Sequence, residues 1–248
     1  MTDLSINLNK IALIRNSREG NYPNVVSHAQ LCIDNGADGI TVHPRPDQRH
    51  IRPRDVHQLA ELVTPVDHVE FNIEGNPFAP AMADYPGFIE LVEQTQPDQC
   101  TLVPDGDDQL TSDHGFDLRA LGEQLRPIIR RLKDQGMRVS LFMDPDLAQI
   151  ELAAKIGADR IELYTGPYAA AWSSDTLDTI FEQHWAAAEL ATSLGMGVNA
   201  GHDLNQDNLA KFASIPSLLE VSIGHAFTVD SLAMGMAHTV RAYKALLR

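Results

Sequence analysis

The 248-residue chain has only two cysteines, Cys32 and Cys100, so neither a disulfide framework nor a cysteine-based zinc site is expected. Lysine is scarce as well, with five in all, and only Lys10 lies outside a segment of helical period. A barrel aldolase working through a Schiff base needs a lysine at a strand end, which leaves Lys10 as the single position open to that chemistry. No apolar run approaches the ~20 residues that cross a bilayer. The first residues also lack the basic-then-apolar layout of a secretory signal, and a cytoplasmic protein is the expectation. There is no Gly/Ser linker to mark a domain boundary and no Gly-rich dinucleotide fingerprint after the first apolar strand. His-x-His and His-Glu-x-x-His pairs are missing too, so a metal is the lesser explanation for any cluster of histidines. Excess positive charge is absent: the net charge of −15 argues against nucleic acid and anionic membrane as partners.

The composition that remains is that of a globular domain, 44% hydrophobic and 21% charged. Short apolar or β-branched runs at 4–8, 38–43, 69–74, 99–103, 138–143, 160–165, 197–200 and 218–223 read as eight strands. Helical periods lie between them at 25–35, 53–62, 118–135, 146–156, 176–194, 208–213 and 232–247, with a weaker one in 87–95. Pro127 falls inside the interval 118–135 and is expected to kink or split it. The stretch 172–194 is long for one crossover and suggests an extra helix or a lid. NGADGI at 35–40 and IGADRI at 156–161 are near-repeats, and Gly136 and Gly195 stand in the same place before their strands. Helix, glycine, then strand is one repeated βα unit, since glycine accepts the left-handed turn that stops a helix. Eight such units at about 30-residue spacing close most economically into a single (βα)8 barrel over 1–248, an α/β TIM barrel with additional helices.

In that fold chemistry belongs at the C-terminal ends of the strands. Polar residues crowd there: Asn7, Asn9 and Lys10 after the first strand, His43 and Arg45 after the second, Asn72 and Glu74 on the third. Thr111 follows the fourth strand, Glu162 lies on the sixth, His202 and Asp203 follow the seventh, and Gly224 and His225 the eighth. His43, His202 and His225 suit acid/base work near neutrality, although each alone reads equally well as a loop histidine. Glu74, on a mostly apolar strand, is a candidate for a raised pKa, its alternative being a plain ion pair with an arginine. The turns at 201–203 and 224–226 sit where barrels bind phosphate on backbone N–H groups. Residues 1–54 carry seven basic and five acidic groups, net +2 against −17 for the rest. Arg45, Arg49 and His50 therefore suggest a second anion site, though composition alone fits a solvated arginine-rich loop slightly better. Two anion sites imply two phosphorylated substrates or one bisphosphate.

The chain resembles the pyridoxine 5′-phosphate synthase family in NLNKIALIRNSR at 7–18, GADGITVHPR at 36–45, QRHI at 48–51, EFNIE at 70–74 and LVP at 102–104. The series continues with TSDHG at 111–115, VSLF at 139–142, IELYTG at 161–166, VNAGH at 198–202 and SIGHA at 222–226, in family order over nearly the whole length. The resemblance implies a homo-oligomeric barrel, commonly an octamer, that needs no metal or organic cofactor. The implied reaction condenses 3-amino-2-oxopropyl phosphate with 1-deoxy-D-xylulose 5-phosphate, yielding pyridoxine 5′-phosphate, inorganic phosphate and water. By motif, His43 and Glu74 correspond to proton acceptors, His202 to a proton donor, and Glu162 to a carboxylate that stabilises a transition state. Asn7, Arg18, Asp203, Gly224 and His225 correspond to the aminoketone phosphate site, and Asn9, Lys10, Arg45, His50 and Thr111 to the pentulose phosphate site. Asn9-Lys10 stands where many members carry Asp-His, and Asp203 where Gly is common. Four extra residues precede Asn72. The competing readings are a barrel isomerase or aldolase acting on one sugar phosphate, a non-catalytic sugar-phosphate sensor, and a metal-dependent lyase.

Overall fold

A computed structural model describes residues 2–106 and 108–248. Its eight strands are β1 (Asp3–Asn7), β2 (Gly39–Val42), β3 (Glu70–Gly75), β4 (Gln99–Leu102), β5 (Arg138–Met143), β6 (Arg160–Leu163), β7 (Gly197–Ala200) and β8 (Leu218–Ile223). They pair in parallel in chain order, and β8 returns to β1 with Leu4 opposite Val221 and Ile6 opposite Ile223, closing the barrel. The expected strands thus exist, each within two residues of its expected ends.

Eleven helices are described: α1 (Asn9–Asn16), α2 (Val25–Asp34), α3 (Pro53–Val63), α4 (Phe88–Thr95), α5 (Leu118–Lys133), α6 (Leu147–Ile156), α7 (Gly166–Ala170), α8 (Leu177–Ser193), α9 (Leu209–Phe212), α10 (His225–Met234) and α11 (Met236–Leu246). The glycines at 36, 136, 157 and 195 all take φ between 84° and 99°, and Gly157 caps α6 in the left-handed conformation.

Three expectations change. Pro127 does not split α5, which runs unbroken. Pro127 and Glu123 are both exposed, so the carbonyl that loses its partner faces solvent. The single helix expected over 232–247 is two, because Gly235 at φ 78°, ψ 137° ends α10 and starts α11. The additional helix lies before residue 172, as α7 with Pro167 in its first turn, and α8 fills the interval without a lid. The helix α1, directly after β1, was not anticipated. Its Arg15 is fully buried against Asp55 at 2.6 Å, an anchor that no local period announces.

Alternation along the strands divides the core. Outward residues such as Ile6, Val42, Ile73, Leu102, Leu141, Leu163, Val198 and Val221 are buried under the helices. The inward set, including Ser5, Thr41, Asn72, Thr101, Ser140 and Asn199, is polar and also buried. Ser5 Oγ and Thr41 Oγ1 lie 2.7 Å apart, Asn72 Nδ2 donates to Thr41 Oγ1 at 3.3 Å, and Thr101 Oγ1 donates to Asn72 Oδ1 at 3.0 Å. Hydrogen bonding, not hydrocarbon packing, fills the lumen, and the strand mouths open onto a polar floor.

Candidate active site

A cavity of about 360 Å³ opens at the C-terminal ends of the strands. Every residue singled out for a catalytic or binding role lines it except Arg18, which is exposed beyond the end of α1. The N-terminal arginines therefore separate: Arg45 and Arg49 reach the cavity, Arg15 is a buried structural anchor, and Arg52 and Arg54 stand at the start of α3.

Two carboxyls form the floor. Glu74, near the end of β3, accepts from Asn7 Nδ2 at 3.2 Å. Burial, then the charges of Asp105 and Glu220, push its pKa up to about 8. The expected alternative of a plain arginine pair is not what the geometry contains. Glu162, buried on β6, is raised well above the ordinary value by burial and then by Glu74 and Glu220. His43, buried at the end of β2, is pushed down to about 4 by burial, so its imidazole is neutral at pH 7. The site at rest thus holds a neutral base beside carboxyls that retain protons near neutrality, which suits proton relay.

Backbone fixes the rim. Asn7 Oδ1 accepts from Asn9 N–H at 3.0 Å, and Asn9 Oδ1 accepts from His43 N–H at 2.8 Å. Asn9 therefore ties β1 to the residue after β2 through its oxygen, a contact an aspartate at this position would also make. His50 Nδ1 accepts from Ile51 N–H at 3.0 Å, which places the proton of its neutral ring on Nε2. Burial and the His43 and Arg45 charges hold His50 down at about 2.

On the opposite rim, His202 Nε2 lies 3.0 Å from Thr111 Oγ1, and its Nδ1 is 3.0 Å from Asp203 Oδ2. The proximity of the His202 ring holds the Asp203 carboxyl low. Tyr164 and Phe142 rings stand edge-on to His202 at 5.3 and 6.1 Å. Asp203 has φ 65°, a left-handed conformation that glycine adopts more readily than a side-chain-bearing residue. Gly201 admits no side chain, since a Cβ would lie 2.0 Å from Ser222 O. The ten-residue helix α10 begins at His225 with Gly224 as its cap, so the positive end of its dipole lies at the cavity wall.

Sequence reasoning missed a layer beneath these groups. Glu220 is buried on β8 and accepts from Arg160 Nη1 at 3.1 Å, Asn199 Nδ2 at 3.1 Å and Gln99 Nε2 at 3.3 Å. Arg138 continues the network to Gln99 at 2.9 Å and to Glu70. The polar i, i+2 pairs Gln99/Thr101, Arg160/Glu162 and Glu220/Ser222 are the signal that could have shown it. Asp105, directly after Pro104 at the exit of β4, was also missed. Among the described residues no group of three His, Cys, Asp or Glu side chains is arranged to hold a metal ion. No helix of the described residues is long and apolar enough to cross a membrane.

The family profile described as "Pyridoxal phosphate biosynthesis protein PdxJ" matches residues 4–248. The chain belongs to that family. Within the PdxJ family, the pyridoxine 5′-phosphate synthase of Xanthomonas axonopodis pv. citri (strain 306) is 56% identical over 248 residues, covering 100% of this chain and 97% of that protein. The pyridoxine 5′-phosphate synthase of Xylella fastidiosa (strain M23) is 53% identical, covering 99% and 95%. Among solved structures, 3-hexulose-6-phosphate synthase from Salmonella typhimurium superposes with a TM-score of 0.64 at 17% identity, covering 99% of this chain and 98% of that one. At that identity the likeness shows the barrel fold that this PdxJ family member shares, and nothing finer.

Proposed function

We propose that this chain is a pyridoxine 5′-phosphate synthase, joining 3-amino-2-oxopropyl phosphate to 1-deoxy-D-xylulose 5-phosphate with release of phosphate and water. The observation that carries the reading is the convergence of His43, Glu74, Glu162 and His202 on one cavity, with anion-binding groups on two sides. Arg45 and His50 stand on one rim, and the start of α10 on the other. That layout suits two phosphorylated reactants better than one sugar phosphate.

The roles follow from the groups' protonation. Neutral His43 accepts a proton as the substrate amine adds to the pentulose carbonyl. Glu74, with a pKa close to working pH, is a stronger base once ionised than a surface carboxylate and exchanges protons through the elimination and ring-closing steps. Glu162, neutral at rest, donates a hydrogen bond to a developing oxyanion and supplies negative charge beside a cationic imine if it ionises. His202, held by Thr111 and Asp203, delivers a proton to a leaving oxygen. The substrate's own amine forms the imine, in keeping with a cavity whose single lysine is Lys10. Asn7, Asp203, Gly224 and His225 hold the aminoketone phosphate, with Arg18 reaching it only by moving. Asn9, Lys10, Arg45, His50 and Thr111 hold the pentulose phosphate.

We further propose assembly with copies of the same chain. Exposed apolar side chains on neighbouring α1 and α10 (Leu13, Ile14, Val229 and Leu232) support it. The decisive experiment incubates purified protein with both phosphorylated substrates, following pyridoxine 5′-phosphate by mass spectrometry and released phosphate in parallel. Product that requires both substrates is expected. Turnover of either substrate alone, or no product from folded protein, would overturn the reading.

A further inference from the structure

Asp105 follows β4 and is 6% exposed. Its Oδ2 accepts from Arg45 Nη2 in a buried ion pair and from Ser112 Oγ at 2.9 Å. Its backbone oxygen accepts from Asn76 Nδ2 at 2.9 Å, and Oδ1 has no hydrogen-bond partner. Three strand-end loops, after β2, β3 and β4, therefore meet on this one residue. The Arg45 guanidinium is shared within the same knot, since its Nη1 donates to Gln109 O at 2.5 Å and Arg49 Nη1 reaches that oxygen at 2.8 Å. The loop so pinned also carries Thr111, the partner of His202.

Arg45 and Asp105, together with His43 and Arg49, line both the main cavity and a second one of about 170 Å³ that also reaches Asn76, Phe78, Met82 and Tyr85. A guanidinium without its carboxylate has that side cavity to turn into. We propose that Asp105 is a positioning residue that holds Arg45 toward the pentulose phosphate and pins the loop bearing Thr111 across the main cavity. Its charge also bears on the proton-transfer groups, acting to raise the pKa of both Glu74 and His43. A planar guanidinium fork gains its phosphate specificity from being held in one orientation, so the carboxylate behind it acts on substrate affinity.

The inference rests on the proposed synthase reading, and the wild-type enzyme assayed alongside separates the two: an inactive wild type condemns that reading, not this one. Asp105→Asn, Asp105→Glu, Arg45→Ala and the Arg45→Ala/Asp105→Asn double variant are compared, with thermal melting to verify folding. For Asp105→Asn, KM for the pentulose phosphate is expected to rise about tenfold or more, the scale of one charged hydrogen bond. The KM for the aminoketone phosphate should stay within about twofold, and kcat should fall less than the pentulose KM rises. Asp105→Glu should recover most of the affinity, and the double variant should be no worse than Arg45→Ala alone. An unchanged or lowered pentulose KM in Asp105→Asn, or additive losses in the double variant, would overturn the proposal. If Asp105→Asn does not fold, Ser112→Ala carries the test: a pentulose KM raised about threefold supports it, and an unchanged one overturns it.

Discussion

Asn7 Nδ2 donates to Glu74 Oε2 at 3.2 Å, joining the ends of β1 and β3 over the strand that separates them. The same amide's oxygen accepts from Asn9 N–H, and Asn9 in turn accepts from His43 N–H. Glu74 and His43 are thereby held in one frame by two asparagine side chains. Both asparagines sit on the first strand or its exit.

Removing that amide tests the frame. Asn7→Ala is expected to lower kcat about tenfold while leaving the circular dichroism spectrum unchanged. Steady-state kinetics that match wild type would show that Glu74 is placed without it.

Glu74 should trade stability for chemistry. Its folded-state pKa of about 8 lies above the ordinary 4.5. The stability it contributes is therefore complete below about pH 4.5 and is lost as pH rises through about 8. Glu74 opens partly onto the cavity, where solvent screens part of the cost of ionising it. Glu74→Gln is expected to match wild type in urea melts at pH 5 and to exceed it by about 1–3 kcal/mol at pH 9. Turnover should drop by about 10² or more. A variant less stable than wild type at pH 9 would contradict the shift.

His43 behaves with the opposite sign. Its folded-state pKa of about 4 is below the ordinary 6.5, so its contribution is complete above about 6.5 and is lost as pH falls through about 4. Activity limited by neutral His43 should persist from pH 7 to pH 5 in short assays if Glu74 is not limiting. His43→Gln should remove turnover by about 10² to 10⁴ across that range. Rate–pH profiles of wild type and Glu74→Gln, measured together, assign the limbs.

The buried floor is expected to govern stability more than rate. Glu220→Ala removes the carboxyl 3.1 Å from Arg160 Nη1, leaves that half-buried guanidinium its bond to Asn199 Oδ1 at 3.0 Å, and should cost about 1–3 kcal/mol in urea denaturation. Replacing both residues with apolar side chains of similar size should recover much of that loss. Equal losses in the single and double variants would mean the pair contributes nothing specific.

Assembly has its own signature. Leu232 on α10 is 79% exposed, one turn from the 50% exposed Val229 on the same helix. Leu232→Glu is expected to reduce the mass seen by light scattering while the monomer stays folded. An unchanged mass would place any interface elsewhere.

Much of this was legible in the chain. Glycine after four of the helices (Gly36, Gly136, Gly157 and Gly195) and apolar alternation along the strands are local signals, because both arise from backbone conformation over a few residues. Parallel strands with helical crossovers then leave few closures, and the barrel followed, along with the rule that strand exits carry the chemistry. His43, Glu74, Glu162 and His202 were readable as strand-exit groups for that reason. The tertiary structure alone decided which arginines face the cavity. Arg15, Arg18 and Arg45 look alike in sequence, yet one is sealed against Asp55, one lies outside, and one is held by Asp105 across sixty residues of chain. It also decided protonation. A carboxyl's pKa depends on burial and on charges brought near by folding, and Glu74, Asp105, Glu162 and Glu220 come from four different strands or their exits. Local pattern determines conformation because its causes are short-ranged, whereas the electrostatics of the site come from distant residues meeting in a medium that screens them weakly.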